Sequence, residues 1–576
     1  MKKILFTIFS LFLLADFLNA GGIVTNTNQS AAWIRTLARD ASIDVDAVFF
    51  NPAGLTHLED GFYIQVNNQT VMQGRTVVSN YPLLNELDPS TKTREYEGKT
   101  SVPFLPTAFA VYKKGNFAFS GGFTVIGGGG SAEFEKGLPE FEYQISGLPA
   151  GLAGLKPVGT AAGVDLSVTG YSVNTSLSGS SVYMGFQGGI TYKFNDVLSV
   201  AAGARYITAK NNYEGFIKDI TLVTPTGPIR ADNFINQKAI PTINGVKTTL
   251  TNAVTQLTPI PGLIQPFLAN FGSVTLDQAK AAGAISDAQY QQLVAAGKGI
   301  GMADPGTLTL QQYYDGMNTG IAGLNTQITT LTGTANQLTA TAGTLGDKEL
   351  DVEQTGSGFA PFFGFDLNLF EGNFGIAVKY EMKTPMKVKT KVIKDDVKLY
   401  KDGEEVPNEL PAMLSVGLRQ KYGSLKLNAG FHYYFDKSAK YGKKNIADRF
   451  VTNGEETAFK GVTERTLMKG NSYELAIGAQ YDITKMFGIS AGFLMTESNP
   501  NPGYQSALSH TLSTRTFGCG AIVHATSKLD VDLGFSMTSY EPYKRDFPAV
   551  GAAPKYSETY DKTAMVFAVG VGYKLF

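Results

Sequence analysis

Gly488-Ile489-Ser490-Ala491-Gly492 matches the G-x-S-x-G frame that exposes a serine nucleophile at a strand-to-helix turn. Here it lies inside an alternating run with no helix after it, so no nucleophile elbow is expected. Gly98-Lys99-Thr100 ends like a phosphate-binding loop, but Thr93 stands where the first glycine belongs and no strand–loop–helix frame surrounds it. His57, His432, His510 and His524 are scattered without metal-ligand spacing, and Cys519 is the single cysteine. Neither a metal centre nor a disulfide framework is expected. A net charge of −1 leaves no electrostatic footprint for nucleic acid. The chain reads as a non-enzyme that needs no cofactor.

The other residues with chemical potential are charges inside apolar-alternating runs: Arg205, Asp366, Lys379, Glu381, Arg419, Lys426, Glu474, Asp530 and Asp532. In LDVDLGFSMTSY, Leu529, Val531, Leu533, Phe535 and Met537 face one way, and Asp530, Asp532, Gly534, Ser536 and Thr538 the other. LKLNAGFHYYF and YELAIGAQYDI alternate in the same way. Such runs are about ten residues long, the length a tilted strand needs to cross a bilayer. No segment after the N-terminal region reaches the ~18 consecutive apolar residues of a helical span. Charged residues are 17%, below the roughly 25% of soluble domains.

Fourteen strands are expected, at 61–76, 104–112, 117–126, 181–194, 198–213, 357–369, 374–388, 411–421, 425–435, 471–483, 487–495, 511–524, 529–540 and 563–576. Each even-numbered strand but the last is followed by a short turn and each odd-numbered one by a long segment. That alternation is the signature of an up-and-down, all-β transmembrane barrel, whose closure removes the edge strands lipid would not tolerate. Ionisable groups within such a wall must pair or meet water, so the charged set reads chiefly as a structural lumen network. Arg205 and Lys210, on the strand before the longest loop, are the candidates to hold an acidic ligand head group.

Fourteen strands enclose more space than wall side chains fill, so the barrel conducts or is plugged. Lys2 and Lys3 before the apolar run Ile4–Leu14, with a small residue at Ala20, read as a secretory signal over residues 1–20. Residues 21–56 do not alternate, and Arg35, Arg39, Asp40, Asp44 and Asp46 suit a small domain docked against a charged lumen. The barrel occupies 57–576. A loop insertion at 214–356 carries capping boxes at Thr275–Gln278 and Ser286–Gln289 and an apolar piece, IPGLIQPFLANF.

A short N-terminal segment ending in Asn51-Pro52-Ala53-Gly54, followed by this strand count, resembles the FadL/TodX family of outer-membrane transporters for hydrophobic compounds. FAFSGGFTVIGGGGSAEF resembles its third strand, SVAAGARYITAK its fifth, ELPAMLSVGL its eighth and LDVDLGFSM its thirteenth. The resemblance implies a monomeric Gram-negative outer-membrane barrel, in contact with lipid and lipopolysaccharide and with long, partly helical extracellular loops. It implies passive uptake of long-chain fatty acids or related hydrophobic molecules. Ligand would be captured by outer loops, pass the N-terminal hatch, and leave sideways where the third strand kinks. On that reading Ile23, Phe49 and Phe50 border the path, and Ile260, Ile264, Phe267 and Phe271 line an outer groove. Gly121, Gly122 and Gly127 make the kink, centred near Gly121-Gly122. Three alternatives stay open: aromatic-hydrocarbon uptake by the same route, a surface protein or adhesin acting through the large loop, and a loop whose apolar residues are its own core.

Overall fold

The computed structural model describes residues 30–440, 468–501, 505, 507–508, 510–549 and 554–576. The expected signal (1–20) and Ile23 lie outside the described residues. The chain divides into two compact units. The larger contains a closed antiparallel barrel of fourteen strands.

The first seven strands are β1 (Gly61–Ser79), β2 (Arg94–Lys114), β3 (Phe117–Phe134), β4 (Gly170–Lys193), β5 (Leu198–Thr224), β6 (Lys348–Leu369) and β7 (Phe374–Glu381). The remainder are β8 (Met413–Tyr422), β9 (Leu425–Tyr434), β10 (Tyr473–Asp482), β11 (Phe487–Glu497), β12 (Thr514–His524), β13 (Leu529–Tyr540) and β14 (Tyr556–Lys574). Register runs antiparallel between sequence neighbours, and β14 pairs with β1 from Tyr63↔Lys574 to Ser79↔Glu558 to close the wall. Phe62 N–H also donates to the carbonyl of Phe576, so the last residue joins the closure.

Turns at one end are tight. Gly115 adopts φ 55° after β2 and Gly423 adopts φ 58° after β8, the left-handed region glycine enters without strain. At the other end several strands run past the expected edges. β1, β2 and β14 extend as a paired hairpin layer, and the expected seventh strand (374–388) divides into β7 and a separate strand, Lys387–Asp395, that pairs with β6 and with Glu405–Pro407. Alternation continues beyond the stretch that lipid requires, so periodicity does not mark where β1, β2 and β14 stop. The outward faces carry exposed apolar side chains such as Ile477, Leu533, Phe567 and Val569.

The smaller unit holds the helical part of the insertion. Its two long helices are Ile240–Leu257 and Leu310–Thr344. Both expected capping boxes form, and Thr309–Gln312 makes another. Ile260 and Ile264 are buried in a cluster with Leu276, Leu293, Leu310, Tyr313 and Met317, with Phe267 packed against it. This corrects the groove assignment for these residues: their apolar faces are spent on the unit's own core, and of the four only Phe271 is substantially exposed.

Ile477 sits mid-strand on the outward face of β10, 63% exposed. Ile477→Arg is expected to lower the stability of the barrel in lipid vesicles by about 2–4 kcal/mol, read by urea unfolding.

Candidate functional site

The N-terminal segment is organised by its own polar residues before it meets the wall. Ser30 caps helix α1 (Ala31–Thr36) by accepting from Trp33 N–H, and Leu37 ends it at φ 57°. Asp46 collects the turn that follows, accepting from Ser30 Oγ at 2.8 Å, Ser42 Oγ at 2.5 Å and Arg39 Nη2 at 2.7 Å. Helix α2 (Ala47–Phe50) leads to Asn51, whose extended backbone (φ −152°, ψ 99°) is what an Asn-Pro step favours. Asn51 Oδ1 caps the 3-10 turn Pro52–His57 by accepting from Ala53 N–H, and Pro52 takes its first position, where no N–H is needed. Its Nδ2 donates to the Phe365 carbonyl of β6 at 2.8 Å. The motif therefore ties the segment to the wall.

Buried ion pairs supply further attachments beside hydrogen bonds such as Thr191 Oγ1 to the Pro52 carbonyl and Ser199 Oγ to the Ala53 carbonyl. Arg35 reaches Asp532 at 2.7 Å, Gln480 at 2.8 Å and Ser490 at 3.1 Å, which gives the G-x-S-x-G serine a structural partner. His432 bridges Asp40 (2.5 Å) and Glu474 (2.8 Å), and Glu474 also accepts from Tyr434 and Thr496. Asp366 holds His57 at 2.9 Å and Arg419 at 2.5 Å. Phe49 lies under two cations: Arg205 is 4.7 Å and Lys379 5.5 Å from its ring centre, and Lys379 also donates to the Phe49 carbonyl. Glu381 pairs with both cations, at 2.7 and 3.1 Å.

Arg205 is thus part of the wall network, bound to Glu381 and twice to Gln187, rather than a free head-group cation. Lys210 pairs with Glu353 at 2.7 Å. Phe50 is buried edge-on against Phe49, with ring centres 5.4 Å apart.

Between the ion pairs the segment's backbone lies directly on wall glycines. A Cβ at Gly478 or Gly492 would overlap the Thr36 carbonyl, at Gly518 the Ile34 carbonyl, at Gly417 the Ala41 amide and at Gly364 the Asn51 side chain. Gly122 belongs to this set, since its Cβ would crowd Phe109 and Val48.

That corrects the position of the kink. Gly121 and Gly122 sit in regular pairing with both β2 and β4, and the missing side chain of Gly122 serves close packing. The irregularity begins at Gly127: β3 shifts register against β4 between Val125 and Gly127 and again between Gly128 and Gly130, and Gly128 takes φ 69°. On the other side, β2 and β3 pair at Lys99↔Glu133 and next at Ala108↔Phe123, leaving the stretch between unladdered. Pro103 and Pro106 fall in that stretch and bring no N–H to a ladder. Asn68 and Thr70 side chains of β1 instead donate to the Pro103 carbonyl, and Asn68 Oδ1 accepts from Leu105 N–H.

A cavity of about 330 Å³ within the barrel unit joins these features. Trp33 and Ile34 of α1 line it, as do Val102, Leu105 and Gly128 at the unladdered stretch. Of the segment's aromatic residues it is Trp33 that lines this space, and Phe49 and Phe50 do not. Sequence reasoning passed over Trp33, although a lone Trp on a short helix in a polar segment is the signal that could have found it.

Glu381→Ala leaves Arg205 and Lys379 buried without a carboxylate and is expected to cost about 3–5 kcal/mol in a thermal or denaturant unfolding experiment. Gly492→Leu is expected to expel the N-terminal segment while the wall still forms. The readout is a barrel that keeps its heat-modifiable gel mobility but is cleaved by trypsin at Arg35 and Arg39.

No family model and no curated protein matches the chain. Among solved structures, a FadL homologue of Pseudomonas aeruginosa is similar over 96% of this chain and 100% of its own, at 12% identity and a TM-score of 0.52. The Pseudomonas putida toluene transporter TodX aligns over 95% of this chain and 99% of its own, at 13% identity and a TM-score of 0.48. For the Ralstonia pickettii toluene transporter TbuX the values are 98%, 100%, 11% and 0.42. With its fourteen antiparallel strands closed on themselves, the chain has the barrel fold of the FadL homologue.

Proposed function

We propose that the protein is an outer-membrane transporter that takes up hydrophobic small molecules without catalysis. The observation that carries this reading is the cavity that runs from Trp33 to Leu105 and Gly128, where the wall lacks its ladder. A ligand resting on α1 would then have a lateral way out, through the gap between β2 and β3, without crossing an aqueous lumen. The N-terminal segment is the hatch. It is held to the wall by ion pairs, by hydrogen bonds and by apolar packing of Ile34, Leu37, Val48 and Leu55, all of which its movement would have to open. The barrel fold shared with a solved FadL homologue supports this reading.

The test is uptake of labelled oleate and labelled toluene into vesicles that contain the purified chain. Deleting Ile126 and Gly129, the residues left unpaired at the two register shifts, is expected to reduce uptake to the level of empty vesicles while the barrel remains folded. Unchanged uptake in that variant would rule out the lateral route.

A second reading is favoured by one observation, the self-contained core of the helical unit. A unit with its own core can serve as a binding module for a surface partner. Replacing residues 231–344 by a short Gly/Ser linker separates the two readings: capture by this unit predicts slower uptake, and a separate binding role predicts normal uptake.

A further inference from the structure

The strand Lys387–Asp395 turns a row of lysines outward. Lys387, Lys389 and Lys391 are exposed and alternate with the buried Val388 and Thr390. Register sets Lys387 beside Ser357, Lys389 beside Thr355 and Lys391 beside Glu353 of β6. On the other side of β6, Lys210 of β5 is the partner of Thr355. Thr355 therefore has a lysine on each flank, and the row from Lys387 to Lys391 spans about 13 Å. Lys210 pairs with Glu353 at 2.7 Å, and Lys387 with Glu405 at 3.5 Å. Among the described residues, Lys389 and Lys391 have no carboxylate at ion-pair distance. Four lysines against two carboxylates leave an excess of two positive charges.

The strand itself fixes the height of this row. About ten residues carry a tilted strand across a bilayer, which takes β6 from the tight turn after Leu369 to Phe359. Phe359 and Phe363 are 56% and 55% exposed, on the same face of β6 as Thr355 and Ser357. Tyr206 of β5 and Tyr380 of β7 are their exposed cross-strand neighbours. Exposed rings of this kind border the lipid-facing band of a barrel. Ser357 with Lys387 is the next outward-facing pair past Phe359, and so lies at the level of the lipid head groups. The positive excess is local. Beyond the crossing, the exposed charges of β2 and β3 are Glu95, Glu97 and Glu133 against Lys99 alone.

We propose that Lys210, Lys387, Lys389 and Lys391 form a fixed binding site for an outer-leaflet glycolipid whose head carries two phosphates. Contact with lipid is general to the wall of a membrane barrel, whereas this site occupies one position on it. One phosphate is satisfied by one or two ammonium groups, and this row offers four over a length that a single phosphate does not span. The hydroxyls of Thr355 and Ser357 stand between the lysines as further donors to phosphate oxygens. Acyl chains anchored below the head would lie along Tyr206, Phe359 and Phe363, an anchor that a free phosphate lacks. The site faces away from the lumen and holds whatever the cargo is, so it stands apart from the transport reading.

The experiment is native mass spectrometry of the full chain in a neutral detergent, titrated with diphosphoryl lipid A, monophosphoryl lipid A and dioleoylphosphatidylglycerol. The wild type is expected to retain one diphosphoryl lipid, bound at least about tenfold more tightly than phosphatidylglycerol, with the monophosphoryl form between them. Lys389→Gln/Lys391→Gln should lose that preference and keep the heat-modifiable gel mobility of a folded barrel. Lys437→Gln/Lys440→Gln removes the same charge from exposed positions elsewhere and should keep the preference. Equal wild-type affinity for the diphosphoryl lipid and phosphatidylglycerol overturns the site. So does a Lys389/Lys391 variant that keeps its preference, or a Lys437/Lys440 variant that loses it to the same extent, which would reduce the effect to net charge. Monophosphoryl and diphosphoryl lipids bound equally tightly would overturn the assignment of two phosphates.

Discussion

A charge inside a membrane barrel must find an opposite charge or water, and the interior of this molecule is arranged around that constraint. The N-terminal segment and the wall each carry part of the set. Arg35 and Asp40 come from the segment, and Asp532, His432 and Glu474 from the wall. Arg205, Lys379 and Glu381 belong to the wall alone, but the two cations close over Phe49. Neither part is electrostatically complete without the other. The segment's position is accordingly specified by several separated pairs, each of which is expensive to break because it strands its partner. Apolar packing of Ile34, Leu37, Val48 and Leu55 adds to this.

The wall was legible in the sequence because its signal is local. Leu529 to Met537 alternate within one strand, and the short turn after Lys114 is marked by its own Gly115. Capping boxes were legible for the same reason, since Thr275 and Gln278 are three residues apart. What failed was everything that depends on a partner far away in the chain. Arg205 looked like an available cation until Glu381 and Gln187 took it. Ile260 and Ile264 looked like a groove until the insertion folded upon them. Gly121-Gly122 looked like a bend because a glycine pair reads the same whether it frees the backbone or admits a neighbour, and here Gly122 admits Val48.

The unladdered stretch of β2 has a different physical origin. Two prolines withdraw donors, and Asn68 and Thr70 answer the orphaned Pro103 carbonyl from the side. A weakness in the sheet is thereby made without leaving that carbonyl unmet, which lipid would penalise. The gap is a built feature of the wall, and Gly128 opposite it supplies the left-handed residue that lets β3 shift register twice in a short span.

The β1–β14 closure has a consequence for how the molecule comes apart. Ala31 N–H donates to Asn67 Oδ1 of β1 at 3.1 Å, and both Asn67 and Ala31 press on Gly570 of β14. The start of α1 therefore lies across the joint between the first and last strands. Unzipping that joint requires the segment to leave first, and leaving requires the ion pairs along β13, β9 and β6 to open. Resistance to unfolding is then in part a matter of rate, since contacts made by residues outside the wall must open before the joint can.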